Sequence, residues 1–152
     1  MKEHIVIRRV SKFITPFIQL FALYVIAHGD ISPGGGFQGG VIIGASVILY
    51  VIAFGLKAGK ARVSDILTDF MNSIGVMIYA GIGVACLIMG GAYLEYTKLA
   101  GSAGVGGSPH AVHALHLAGH LGIYGIEIGI GMVVASVMIT IFFETANTEN
   151  DD

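Results

Sequence analysis

Four long apolar blocks dominate this sequence, and short polar or glycine-rich segments separate them. An α-helix rises about 1.5 Å per residue, so about 20 apolar residues are needed to cross the hydrocarbon core of a bilayer. With 55% hydrophobic and only 12% charged residues, a chain of 152 residues is too apolar to be a small soluble domain. The pattern predicts an all-α, polytopic membrane protein with one domain of four transmembrane helices over residues 1–144.

The helix bounds follow from the apolar blocks. Helices are predicted at about residues 10–27, 39–56, 70–94 and 121–143, followed by an acidic cytoplasmic tail at residues 145–152. The second helix is short for a span, so either it begins within the preceding glycines or the glycine segment dips into the membrane. Residues 57–69 are interpreted as a short charged connection and residues 95–119 as a longer connecting segment.

Positive charges predict how the helices are oriented. Only Lys98 falls on one side of the membrane, whereas the other seven of the eight lysines and arginines share the opposite side. These seven are Lys2, Arg8, Arg9, Lys12, Lys57, Lys60 and Arg62. Cytoplasmic loops carry the excess of positive charge, so both chain termini are predicted to be cytoplasmic.

The segment SPGGGFQGG at residues 32–40 contains five glycines. It lacks the lysine of a phosphate loop, the preceding strand of a dinucleotide site and the TVGYG-type run of a potassium filter. Two interpretations stay open: a flexible connection, or a functional loop whose phenylalanine ring wedges against neighbouring helices. The candidate residues are Pro33, Gly34, Gly35, Gly36, Phe37, Gln38, Gly39 and Gly40.

Glu127 is the one clear carboxylate inside an apolar block. It lies about six residues into the predicted fourth helix, so about 9 Å beyond the start of that helix. A charge at the centre of a span costs about 2.5–3.5 kcal/mol on insertion scales, so the side chain should face protein or water. Glu127 is therefore either part of a cation or proton path or a structural hydrogen-bonding group.

Four histidines precede the fourth predicted helix, at positions 110, 113, 116 and 120. If this segment is helical, His113, His116 and His120 fall within about 60° of one another. The alternatives are a metal site, a proton-accessible vestibule and plain packing at the membrane interface. No cysteine or carboxylate lies near them in the sequence, so we predict no metal and retain the vestibule as the functional candidate.

Glycines within the third and fourth predicted helices favour close helix packing, because small side chains let backbones approach in lipid. Their spread around the fourth helix predicts contacts on more than one face, as in a multi-subunit assembly.

The sequence has no nucleophile–base pair, no cofactor motif and no basic cluster typical of nucleic-acid binding. It therefore predicts neither an enzyme nor a cofactor, and a chain with one buried carboxylate is poorly equipped to transport ions alone.

The sequence resembles the MnhB family of small membrane proteins, found in the multisubunit Na+/H+ antiporters that are called Mrp or Mnh. The resemblance covers about residues 3–144. It lies in EHIVIRRVSKFITPFIQLFALYVIAHGDISPGGGFQGGVIIGASVILYVIAFG and, around Glu127, in GIYGIEIGIGMVVASVMITIFFE. Its most specific part is HGDISPGGGFQGG, whereas the histidine-rich stretch is not part of the family pattern.

This resemblance implies a four-helix, non-catalytic subunit in the plasma membrane of a bacterium or archaeon. In that family, larger subunits carry the proton relays, and small subunits help to form the sodium path and join the large ones. The assembly exchanges cytoplasmic Na+ for external H+. Equivalent subunits occur in ferredoxin-driven hydrogenase-type complexes that translocate sodium, so that role and a purely structural spacer remain alternatives.

Overall fold

The computed structural model describes residues 3–29, 34–104 and 109–148, and every regular element within them is a helix. The elements are α1 (Glu3–Ala27), α2 (Gly36–Phe54), α3 (Leu56–Arg62), α4 (Asp65–Ile88), a 3₁₀ helix (Tyr96–Gly104) and α5 (Pro109–Thr148). Helices α1, α2, α4 and α5 are each long and apolar enough to cross a membrane. The all-α class and the four spans are thus confirmed for a multi-pass membrane protein.

Helix α5 lies at the centre of the arrangement. It packs against α2 and α4, while α1 packs mainly against the far side of α2. The apolar core lies where α2 meets α5 and consists of Val47, Val51, Ile139 and Phe143. Large apolar side chains on α1 and α4 face outward, as a lipid solvent requires. The predicted contacts on more than one face of the fourth helix are present, but both neighbours belong to this chain.

Three helices differ from their predicted bounds for local reasons. Helix α1 begins at Glu3 instead of near residue 10, since the basic residues there are good helix formers. Helix α2 begins at Gly36, within the glycine run, which was one of the two predicted alternatives. Helix α4 begins at Asp65 instead of near residue 70, because the Ser64 hydroxyl accepts a hydrogen bond from the Leu67 amide at 3.4 Å.

Helix α5 is much longer than the predicted 121–143, and it continues into the predicted tail as far as Thr148. It begins at Pro109, where a missing amide hydrogen costs little and the fixed φ suits a first helical turn. The interpretation of residues 95–119 as a connecting segment was therefore wrong. These residues contain the 3₁₀ helix and the first turns of α5, and the charged connection at 57–69 contains α3.

The positive charges gather at one end of the bundle, which we call the basic end: Arg8, Arg9, Lys12, Lys57, Lys60 and Arg62. Two rings of α2 stack at this end, where Tyr50 and Phe54 lie one turn apart with 4.5 Å between their centroids. The Arg62 guanidinium lies 5.0 Å from the Tyr50 ring, and that of Arg8 lies 6.0 Å from the Phe54 ring. Lys2 lies outside the described residues.

Lys98 follows α4 at the other end of the bundle. Its ammonium lies 3.9 Å from the carboxylate of Glu95, so its charge is paired within its own segment. The charge asymmetry predicted from the sequence is therefore present along the long axis of the bundle.

Candidate functional site

The described residues at the two ends of the connection between α1 and α2 lie against Glu127 of α5. A β-carbon built on Gly29 would overlap both carboxylate oxygens of Glu127, and one built on Gly35 would lie 3.1 Å from Oε1. A β-carbon on Gly36 would overlap the backbone carbonyl oxygen of Glu127. We call Gly29, Gly35 and Gly36 the glycine cradle. It brings together the two candidate regions that the sequence analysis singled out separately.

Gly35 sets the geometry of the cradle. Its φ of +119° belongs to a region that residues with a side chain rarely adopt, and it immediately precedes the first residue of α2. The Gly35 carbonyl accepts a hydrogen bond from the Gly39 amide at 3.0 Å, which starts the helix. The first amides of α2 have no partner within the helix, so the positive end of the α2 dipole faces Glu127.

The carboxylate itself is enclosed. Glu127 is half-buried, and its Oε2 atom is shielded from solvent. The glycine backbone and the start of α2 therefore lie around the carboxyl group, and a side chain at position 29 would overlap it.

Two further glycines of the run hold α2 against its neighbours. A β-carbon on Gly40 would lie 2.7 Å from the Gly131 carbonyl oxygen of α5, and one on Gly39 would lie 2.8 Å from the Ala22 carbonyl oxygen of α1. Both are buried. Close packing on both sides of α2 fixes the cradle relative to Glu127.

The length of α2 indicates how deep Glu127 lies. Nineteen residues give a helix of about 28 Å, which barely crosses a hydrocarbon core of about 30 Å. Phe54 ends this helix at the basic end, so Gly36 lies near the opposite membrane face. Glu127 contacts Gly36 and therefore lies near that face too. The expected 9 Å from the start of its helix was wrong, since Pro109 is about 27 Å away along α5.

The remaining residues of the glycine run lie outside the cradle. Phe37 is 64% exposed, so the predicted wedge against neighbouring helices is wrong within this chain. Gln38 is also exposed, and Gly34 is half-buried. Pro33 lies outside the described residues.

The candidate histidines lie on α5, between Pro109 and the level of Glu127. His113, His116 and His120 are exposed, and at 100° per residue they share one face of the helix. Glu127 falls within about 40° of that face, so the four side chains follow one stripe along α5. His116 and His120 also line a shallow, open groove of about 310 Å³, together with Thr97 of the 3₁₀ helix. The three histidines therefore lie within the expected 60° around the helix axis. The stripe that they form leads along α5 toward the carboxylate of Glu127.

No three histidine, cysteine or acidic side chains in the described part of the chain come together as they would around a metal ion. His110, the fourth histidine, is exposed near the start of α5. The histidines thus form a row along the surface of α5 and do not converge on a common centre.

Two tyrosines fasten the segment between α4 and α5, which the sequence analysis did not anticipate. The Tyr93 ring occupies the space beside Gly83, and the Tyr96 ring occupies the space beside Gly122. Burial raises the pKa of the Tyr96 phenol, and the nearby Cys86 thiol acts in the same direction. The two glycines are the sequence signal for these contacts, because each leaves room for a ring on a facing segment.

Gly29 is the member of the cradle that the sequence analysis missed. It is the second residue after α1 ends at Ala27, where glycine commonly ends a helix, and it lies in the HGDISPGGGFQGG segment of the family resemblance. Its contact with Glu127 is tertiary and follows from the packing of α1, α2 and α5.

Comparison with known proteins identifies the family of the chain. Residues 6–140 match the MnhB family model, which is described as a domain related to the MnhB subunit of the Na+/H+ antiporter. This match covers both the glycine cradle and Glu127.

The matches to individual relatives cover different shares of this chain and of each relative. The Na+/H+ antiporter B-type subunit of Bacillus subtilis is 27% identical over 61% of this chain and 64% of the relative. An uncharacterized protein of Methanocaldococcus jannaschii is 39% identical over 52% of this chain, but the match spans only 30% of that relative. The Na+/H+ antiporter B-type subunit of Alkalihalophilus pseudofirmus is 27% identical over 86% of this chain and 88% of the relative. With a family model matched over most of its length, the chain belongs to the MnhB family.

Proposed function

We propose that this chain is a non-catalytic membrane subunit of a multisubunit Na+/H+ antiporter, and that Glu127 with the glycine cradle forms a cation site at one mouth of the sodium path. The observation that carries this proposal is the contact between Glu127 and Gly29, Gly35 and Gly36. It places a carboxylate beside glycine backbone near a membrane face.

The chemistry of the site suits a hard monovalent cation. Carboxylate and backbone carbonyl oxygens are the ligands that hard cations prefer in proteins. At this site the carboxylate of Glu127 is the oxygen ligand, since the first amides of α2 face the site and the Gly35 carbonyl already accepts a hydrogen bond from the Gly39 amide. The choice of Na+ rests on the names of the relatives from Bacillus subtilis and Alkalihalophilus pseudofirmus.

The site needs neighbouring subunits to complete a path. Between Glu127 and the basic end, the seam of α2 and α5 is filled by Val47, Val51, Ile139 and Phe143, which offer a cation no ligand. The basic end would also repel it. A bound cation therefore leaves Glu127 laterally, toward another subunit. The chain contributes one ion-binding site to a path that it forms together with other subunits.

Orientation follows from the charge asymmetry. We place the basic end in the cytoplasm, because positive charge accumulates on that side of bacterial and archaeal plasma membranes. Both termini are then cytoplasmic, and the site opens toward the outside. His113, His116 and His120 form the vestibule of the site, since they follow the Glu127 stripe outward along α5. Imidazole nitrogens can both accept and donate hydrogen bonds and protons, which suits the outer end of a proton-coupled path.

The test is Glu127→Gln in the assembled complex, with Glu144→Gln as the matched control on the same helix, where the carboxylate is exposed. We expect Glu127→Gln to lower Na+-dependent proton exchange in membrane vesicles by about tenfold, because a charged ligand is lost. Glu144→Gln should exchange at the normal rate. If a correctly assembled Glu127→Gln complex exchanges ions at the normal rate, the proposed cation site is wrong. The chain would then act as a structural spacer.

Assembly must be measured on the same preparations. Subunit composition after native purification, followed by gel electrophoresis, reports whether the variant complex is intact. It also addresses the alternative family role, because co-purified iron–sulfur subunits would identify a redox-driven complex in place of an antiporter.

A further inference from the structure

A second charged feature lies far from Glu127, in a groove between α1 and the end of α2. The groove has a volume of about 570 Å³ and is lined by Arg8, Arg9, Lys12, Phe13 and Phe54. Among the residues that the structure describes, no carboxylate lines it. Three cations and two aromatic rings therefore share one surface cavity at the basic end.

The cations of this groove are not neutralised by the described part of the chain. Arg8 is held in place, because its Nε donates a hydrogen bond to the Ala53 carbonyl oxygen at 3.1 Å and its guanidinium lies over Phe54. Neither Arg9 nor Lys12 forms an ion pair with a described residue. The groove thus carries a net positive charge whose position is fixed by Arg8.

An apolar stripe continues from the groove into the membrane. Phe13, Phe17 and Phe21 follow one another at helical spacing on α1 and are 71%, 56% and 56% exposed. The rings of Phe13 and Phe17 lie 5.1 Å apart between centroids. The surface therefore changes from cationic to apolar along α1, within a few turns.

We infer that this groove binds an anionic phospholipid, with the phosphate headgroup against Arg8, Arg9 and Lys12 and an acyl chain along Phe13, Phe17 and Phe21. Basic pockets between membrane helices recognise anionic headgroups through charge complementarity. A free phosphate ion would use the cations alone and would leave the aromatic stripe without a role. Such a lipid would bridge α1 to the end of α2, and the site is independent of the proposed ion path.

Quenching by brominated lipids tests the inference directly, because the full chain contains no tryptophan. Phe13→Trp places a single reporter in the groove, and Ile88→Trp places one at an exposed position on α4. Each full-length variant is reconstituted in phosphatidylcholine with increasing brominated phosphatidylglycerol or brominated phosphatidylcholine. We expect the groove reporter to favour phosphatidylglycerol by about fivefold or more, whereas the α4 reporter should show no preference.

Charge removal provides the second arm. Replacing Arg8→Gln, Arg9→Gln and Lys12→Gln in the Phe13→Trp background should abolish the preference. Since Arg8 also holds α2, the double variant Arg9→Gln with Lys12→Gln keeps that contact and should lower the preference in part. An equal preference in all variants, or no preference at the groove reporter, would overturn the inference.

Inorganic phosphate separates a lipid site from a plain anion site. Millimolar phosphate should leave quenching by brominated phosphatidylglycerol unchanged, because the acyl chain contributes to binding. Loss of the preference on adding phosphate would replace the lipid site with a simple anion site and so contradict the inference.

Discussion

A β-carbon on Gly29 would occupy the space that the Glu127 carboxylate fills. The two residues are far apart in the sequence. The carboxylate leaves no room for a side chain at position 29, and Gly29 leaves the space that the carboxylate needs. A side chain at position 29 would meet the tip of a flexible side chain and not a backbone, so it would displace the carboxylate and leave the helices in place. Gly29 therefore controls where the charge of Glu127 lies.

The first prediction uses this relationship. Gly29→Ala should lower Na+-dependent proton exchange by about tenfold, because the displaced carboxylate loses its place beside the cradle. Assembly and thermal stability should change little. Gly81→Ala on α4 is the control, since a β-carbon there meets nothing within 4 Å. Vesicle exchange assays on both variants check the prediction, and full activity of Gly29→Ala would show that the cradle does not position the carboxylate for transport.

The second prediction concerns the seam between α4 and α5. A β-carbon on Gly75 would lie 2.6 Å from the Gly129 carbonyl oxygen, so Gly75→Ala must push two helix backbones apart. We expect a loss of about 1–3 kcal/mol in the free energy of unfolding, measured by denaturation in detergent micelles. Gly81→Ala on the same helix meets nothing within 4 Å and should be neutral or slightly stabilising. Equal stability of the two variants would contradict the close approach.

The third prediction concerns the start of α4. The Ser64 hydroxyl accepts a hydrogen bond from the Leu67 amide, so Ser64→Ala should cost about 1 kcal/mol of stability. Ser73→Ala is a matched control, because the Ser73 hydroxyl only donates to the Asp69 carbonyl oxygen within the helix. The same denaturation assay should separate the two, and the interpretation of Ser64 as the helix cap is wrong if they unfold together.

The fourth prediction tests orientation. Cys86 is the only cysteine and is fully buried, so Cys86→Ala provides a background for single labels. In intact cells, a membrane-impermeant maleimide should label Thr97→Cys, at the end of the bundle with Lys98. It should reach Lys57→Cys, at the basic end, only after the membrane is permeabilised. The reverse pattern would invert the proposed topology and place Glu127 near the cytoplasm.

Features that depend on local pattern were predictable from the sequence. The four spans follow from the lengths of the apolar blocks, and the charge asymmetry along the bundle follows from the positions of the lysines and arginines. Glu127 and the glycine run stood out because a buried carboxylate and a cluster of glycines are both costly in a span.

Features that depend on tertiary contact were not predictable in the same way. Gly29 looks like an ordinary residue at the end of a helix until α1, α2 and α5 pack together. The first turns of α5 were missed because Pro109 follows glycines and a serine, a composition typical of loops. A wedge of Phe37 against neighbouring helices was one of two open interpretations, based on a ring among glycines, but at a membrane-facing position lipid can solvate the exposed ring.

The position of Glu127 near the middle of α5 has one mechanical consequence. Forty residues make a rod of about 60 Å, twice the thickness of a hydrocarbon core. The half from Glu127 to Thr148 is about 32 Å long and matches that core by itself. The half from Pro109 to Glu127, about 27 Å long, therefore projects past the membrane face, and only the inner half has to tilt when the bilayer thickness changes.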